Sequence, residues 1–214
     1  RIDHWRERYP LAYEDTTDAE IRPQFMIQAL AEATDNDAIV TSDVGQHQMW
    51  TAQYYDFPQP RRWLNSGGLG TMGFGLPAAL GAKVGCPDAQ VVVVSGDGSI
   101  QMNTQELATC ADNNIDVKVF IMNNGFLGMV RQWQELFWEK RYSQVTLGGN
   151  PDFVKLAEAY GCTGMRLTDK NTLVDDIRTA LATPGPVVVD VRVTAEENVY
   201  PMISPGEAAR DMVG

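Results

Sequence analysis

Four consecutive valines, Val91 to Val94, held between Gln90 and Ser95, leave this chain few folds to choose from. A strand with one wet face alternates apolar and polar side chains, and this run does not, so both of its faces must be covered. Such burial belongs to a parallel sheet with helices packed on either side. Other runs fit the same sheet: Ala38–Ser42, Arg62–Ser66, Val117–Met122 and Pro186–Val191.

Helical spacing separates these runs. Ile21, Phe25, Ala29 and Leu30 recur at helical intervals, with Pro23 tolerable because it falls in the first turn. Helices are expected around Met49–Tyr55 and over the small, apolar residues 74–85. Asn103 and Glu106 approach a capping box for a helix running to about Asn114. Phe126, Met129, Val130, Trp133, Leu136 and Phe137 form one apolar helix face. Asn150-Pro151 opens a helix that Gly161 ends, and Leu173, Ile177 and Leu181 mark the last core helix. The expected fold is α/β, a doubly wound six-stranded parallel sheet with helices on both faces. Residues 1–18, charged and aromatic without a sustained period, read as an incoming linker; 19–194 form the domain; 195–214, polar and proline-punctuated, form a tail over the side where ligands bind.

Composition narrows the partners. Among 214 residues, 17 Lys and Arg face 28 Asp and Glu, a formal charge of −11. That balance disfavours nucleic acid and anionic lipid, both of which select basic surfaces. No run of about 18 apolar residues offers a membrane span. Three separated cysteines with no C-x-x-C suggest neither a disulfide framework nor a zinc site, and fit a reducing compartment. The start at Arg1 gives the expectation of a piece of a longer chain.

In doubly wound sheets, ligands bind beyond the carboxyl ends of the strands. The valine strand runs into Gly96-Asp97-Gly98-Ser99, and the next strand into Asn123-Asn124-Gly125. If the two strands are neighbours, Asp97 and Asn124 meet at one sheet edge, one β-α-β step apart. A carboxylate and an amide oxygen are good ligands for Mg²⁺ or Ca²⁺ but too few to cage it, so phosphate oxygens and water must complete the shell. Gly96 and Gly98 allow close backbone approach, and the turn at Ser99 offers N–H groups to a phosphate. Each turn alone is ordinary; their combination is not.

G-D-G-S followed by N-N resembles the thiamine-diphosphate-binding motif. The wider text, Gly96–Thr109 and Asn123–Trp133, together with Gly45-Gln46-His47-Gln48-Met49-Trp50, Gly68–Pro77 and Asn150-Pro151-Asp152-Phe153, is similar to the catalytic subunit of the acetohydroxyacid synthases (acetolactate synthases), in their C-terminal, cofactor-binding domain. The resemblance implies that Asp97, the Asn124 side chain and the main-chain carbonyl of Phe126 hold Mg²⁺. It puts Gln46, His47, Gly96, Gly98 and Ser99 on the diphosphate. It makes Met72 the wedge that bends thiamine diphosphate, with the Gly70 carbonyl orienting the pyrimidine amino group, and it sets Met129, at the cofactor, and Trp133 at the mouth of the substrate channel, where the family binds herbicides. It further implies condensation of pyruvate with a second pyruvate or 2-ketobutyrate, in branched-chain amino-acid synthesis. No catalytic residue is expected within these residues, since the activating glutamate comes from the pyrimidine-binding domain of a second catalytic chain in a homodimer or tetramer. Glu106 is better explained by capping. FAD in a middle domain, a small regulatory subunit, and residence in bacterial cytoplasm, plastid or mitochondrion complete the expectation.

Other readings stand beside it: another thiamine-diphosphate decarboxylase or carboligase, a dinucleotide oxidoreductase, or a non-catalytic assembly module. Gly68-x-Gly70-x-x-Gly73 matches the dinucleotide fingerprint, but the strand before it is short and poorly apolar. No P-loop and no local sign of a Ser-His-Asp triad occurs.

Overall fold

Val91–Val94 feed two separate cores in the computed structural model, which describes residues 1–14 and 20–214. Val92 and Val94 join one apolar cluster with Met26, Leu30, Phe120 and Ile177; Val91 and Val93 join another with Leu76, Leu107, Ile121 and Phe153. All four are at most 1% exposed. Each buried valine contributes roughly 1.5–3 kcal/mol of transfer free energy, which is why no polar alternation is tolerated in the run.

The strands are β1 (Ile39–Ser42), β2 (Trp63–Asn65), β3 (Val91–Gly96), β4 (Lys118–Asn123), β5 (Thr163–Leu167) and β6 (Val187–Arg192). The helices are α1 (Ile2–Arg8), α2 (Pro23–Ala33), α3 (Gln46–Tyr54), α4 (Gly75–Gly85), α5 (Asp97–Ile100), α6 (Glu106–Asp112), α7 (Gly128–Phe137), α8 (Phe153–Ala159) and α9 (Leu173–Ala182). The sheet has the order β2-β1-β3-β4-β6-β5 with every pairing parallel. Helices α2, α3 and α9 bury against one face, and α4, α5, α6 and α8 against the other. This is the doubly wound six-stranded architecture expected. β1 leads outward to β2 while its neighbour β3 leads the other way to β4, so the switch point lies between β1 and β3.

Several local expectations are corrected. Asn103 and Glu106 form no capping box: the Asn103 amide donates to the Gly73 carbonyl at 2.7 Å, and α6 starts at Glu106 with no side-chain cap. The cap of α8 is Asp152, not Asn150, and its carboxylate accepts from the Val154 and Lys155 amides. In α7, Arg131 and Gln132 are the fully buried residues, while Val130 is half exposed. Tertiary hydrogen bonding has overridden the hydrophobic period there. The strand β5 carries little apolar signal because it is a sheet edge with one buried residue, Leu167. Residues Ile2–Arg8 of the expected linker are helical with no buried side chain, and its residues 15–18 lie outside the described residues. Among the described residues no helix is long and apolar enough to cross a membrane.

After β6 the chain crosses α2, α3 and α7. Glu197 pairs with Arg22, Val199 is buried, and Tyr200 accepts a hydrogen bond from Gln53 at 2.8 Å.

Candidate functional site

β3 and β4 pair with Gly96 opposite Met122, which puts Asp97 and Asn124 at the carboxyl ends of adjacent strands. Both line one cavity of about 110 Å³. β1 ends beside β3, and the turn after it brings Gln46 and His47 to the same cavity. The loop before α4 adds Met72, the loop before α7 adds Phe126, and the first turn of α7 adds Met129. Gly96, Gly98 and Ser99 complete the wall. Gly70 and Trp133 do not line it. Gly70 lies beside Val44, a wall residue, and Trp133 lines an outer groove that Met129 shares.

Asp97 is 1% exposed, and its Oδ2 accepts from the Gly125 amide at 2.9 Å and the Asn150 amide at 2.7 Å. Burial pushes its carboxyl up to about 6, against the lowering effect of these bonds. The stabilising groups are all neutral, so among the described residues the ionised form has no counter-ion. Asn124 Oδ1 accepts from the Phe126 amide at 3.0 Å. Phe126 pairs with Thr146 through bonds that use the flanking residues, Leu127 to Val145 and Leu147 to Gly125, and not its own carbonyl. Among the described residues no three His, Cys, Asp or Glu side chains converge as a full metal cage. One carboxylate, one amide oxygen and one main-chain oxygen suit a hard cation that draws its other ligands from elsewhere.

The His47 ring lies in a slot between two glycines. A Cβ at Gly45 would come within 2.8 Å of its Cε1, and one at Gly96 within 2.9 Å of Cε1 and Nδ1. Burial holds its pKa down to about 3, opposed by a hydrogen bond to the Asp43 backbone, so the ring is neutral. Its Nε2 is buried and has no partner among the described residues. Gln46 Oε1 is likewise buried and unpartnered. Two orphaned polar atoms on one cavity wall mark a place built for a polar ligand. The Ser99 hydroxyl is committed to the Val44 carbonyl at 2.9 Å.

Met72 reaches into the cavity, its Cε 3.9 Å from where a Cβ on Gly98 would lie. Its loop is pinned by a residue that sequence reading passed over. Asp43, fully buried at the end of β1, accepts from the Gly73 amide at 2.6 Å and from the Ser95 hydroxyl at 3.0 Å. Burial raises its pKa, opposed first by the Gly73 bond. Asn150 was also assigned elsewhere, to a helix start. Asp43 stands immediately after a strand end, and that position alone marked it.

The dinucleotide reading fails on topology. The Gly68–Gly73 loop follows β2, an edge strand, and β1 separates β2 from β3, so Asp97 is not on the strand beside the glycine turn.

Residues 43–191 match the family described as "Thiamine pyrophosphate enzyme, C-terminal TPP binding domain". The chain is 50% identical over 210 residues to an acetolactate synthase of Mycobacterium leprae, covering 96% of this chain and 34% of that one. It is 52% identical over 205 residues to the acetolactate synthase isozyme 3 large subunit of Escherichia coli, covering 94% and 36%. It is 46% identical over 219 residues to the chloroplastic acetolactate synthase 1 of Zea mays, covering 99% and 34%. The chain thus spans about a third of the length of these relatives.

Proposed function

Because the chain belongs to the thiamine pyrophosphate enzymes, as their C-terminal TPP-binding domain, we propose that it carries the diphosphate- and cation-binding half of an acetolactate synthase. The observation that supports this most is the meeting of Asp97, Asn124 and the orphaned His47 Nε2 on one cavity at the sheet's switch point. The residues fit the group. Asp97, Asn124 and the Phe126 carbonyl would hold Mg²⁺, whose charge the buried Asp97 lacks. His47 and the backbone of Gly96, Gly98 and Ser99 would meet the diphosphate.

When bound, thiamine diphosphate supplies an electron sink for decarboxylating a 2-keto acid and joining the remainder to a second one. The chain's own residues position and shelter it. Met72, apolar and adaptable, would bear against the cofactor from a loop that Asp43 fixes. The Gly70 carbonyl, on the same loop, would orient the pyrimidine amino group. Met129 lies on both the cavity and the outer groove with Trp133, and would gate entry of pyruvate or 2-ketobutyrate. The activating glutamate, a middle domain with FAD, a partner catalytic chain and a small regulatory subunit belong to the same proposal. So does residence in cytoplasm, plastid or mitochondrion.

Calorimetric titration with thiamine diphosphate, with and without Mg²⁺, tests it. Cation-dependent binding is expected, with no acetolactate formed by residues 1–214 alone. Binding of NAD instead, or of neither cofactor, would overturn the proposal in favour of an oxidoreductase or an assembly module.

A further inference from the structure

The buried carboxamide of Gln46 is wired in one direction. Its Nε2 donates to Gln132 Oε1 and to the Glu197 carbonyl, each at 2.8 Å, which uses both of its N–H bonds. Turning the amide over would set its oxygen against two acceptors. Oε1 is therefore the end left facing the cavity, buried and unpartnered. A carbonyl oxygen is the wrong end of an amide to offer a diphosphate. The neighbouring group is a donor. A Cβ on Gly128 would lie 2.1 Å from Gln46 Oε1 and 2.9 Å from Asn124 Nδ2, so the two atoms flank the same point.

We propose that Gln46 is a positioning residue for the cation site: its Oε1 receives the Asn124 amide N–H and so keeps the Asn124 oxygen, not its nitrogen, available to the ion. The Asn124 oxygen is steadied from the other side by the Phe126 amide. Gln46 is in turn held by the chain's last segment. Gln132 Oε1 also accepts from the Val199 amide at 2.8 Å, and Gln132 Nε2 donates to the Val199 carbonyl at 2.8 Å. Arg131, fully buried, donates to the Glu197 carbonyl at 2.7 Å and to Asn198 Oδ1 at 2.6 Å. Residues 197–199 are thereby coupled to the cation ligand through Gln132 and Gln46. Outer-shell partners of this kind set metal affinity by orienting the ligand that touches the ion.

The assignment rests on the cation reading given above, and the experiment separates the two. In the full-length protein with saturating thiamine diphosphate, Mn²⁺ affinity is measured by electron paramagnetic resonance. Gln132→Leu is expected to weaken it about 10- to 100-fold. Gln46→Met, nearly isosteric, removes the acceptor directly and reads the same step if Gln132→Leu does not fold. In an Asn124→Asp background, where both outer atoms are oxygens, Gln132→Leu is expected to have no further effect. Unchanged Mn²⁺ affinity in Gln132→Leu or Gln46→Met, or a further loss from Gln132→Leu in the Asn124→Asp background, would overturn the coupling. Undiminished Mn²⁺ binding in Asp97→Ala would instead overturn the cation site itself.

Discussion

The Asp97 carboxylate and the Asn150 carboxamide meet at 2.7 Å across 53 residues of chain. The loop before α8 is thereby tied to the end of β3, and one carboxylate oxygen takes both this bond and that of the Gly125 amide. Asn150 in turn accepts from Gln101 at 2.9 Å, so its orientation is set. The carboxylate is fixed in direction by neutral groups, while its charge awaits a cation.

Replacing Asp97 should therefore separate binding from stability. Asn at this position keeps a carbonyl oxygen for Gly125 and Asn150 while removing the buried charge. A carboxyl raised from 3.8 to about 6 carries a cost on the order of 3 kcal/mol when ionised at neutral pH. Asp97→Asn is expected to abolish Mg²⁺-dependent cofactor binding and leave the melting temperature of the cofactor-free protein equal or higher. A lower melting temperature would count against this account of the carboxylate.

The pH dependence of the cofactor-free protein should carry two opposed contributions. The Asp97 carboxyl favours the folded state while protonated, so its contribution is complete below about 3.8 and is lost as pH rises through about 6. His47 is neutral when folded and titrates at 6.5 when unfolded, so its contribution is complete above 6.5 and is lost as pH falls toward about 3. Between about pH 4 and 6 the two slopes oppose each other. In Asp97→Asn the Asp97 slope is removed and the His47 slope kept, so denaturation midpoints should fall more steeply with acid than in the parent. Parallel curves for the two proteins would contradict the assignment.

The imidazole slot predicts a sharp steric effect. Gly96→Ala places a methyl 2.9 Å from the His47 ring, an overpacking that should cost about 1–3 kcal/mol and displace Nε2 from the cavity wall. Urea unfolding reads the first effect and titration with thiamine diphosphate the second.

Asp43 can be tested by contrasting two replacements. In Asp43→Asn the oxygen facing Gly73 can remain, while the Ser95 hydroxyl already has the Gly96 carbonyl as a second acceptor at 3.2 Å. Asp43→Ala leaves the Gly73 amide without its partner, at a cost of about 1–3 kcal/mol. Hydrogen exchange at Gly73 should quicken markedly in the alanine variant and little in the asparagine one.

What could be read from the residues was whatever depended on local pattern. The valine run announced a sheet covered on both faces, and the strand-end positions of Asp97 and Asn124 announced their meeting, because strand neighbours bring their carboxyl ends together. What stayed hidden was set by distant partners. Arg131 and Gln132 sit in a helix whose apolar face suggests they point outward, yet they bury because the segment 197–199 offers carbonyl and amide groups to them. Asn103 carried the spacing of a cap but is captured by the Gly73 carbonyl. Asp43 and Asn150 lack any motif of their own, and their roles follow only from the partners that folding gives them.

The strand order has a kinetic corollary. β1 meets β3 only after the chain has travelled out through β2 and returned, and the pocket borrows further pieces from beyond β4 and from residues 197–199. Recognition of a ligand therefore waits on assembly of the sheet, and a cut ahead of residue 197 would strike the pocket from a distance, through Gln132 and Gln46.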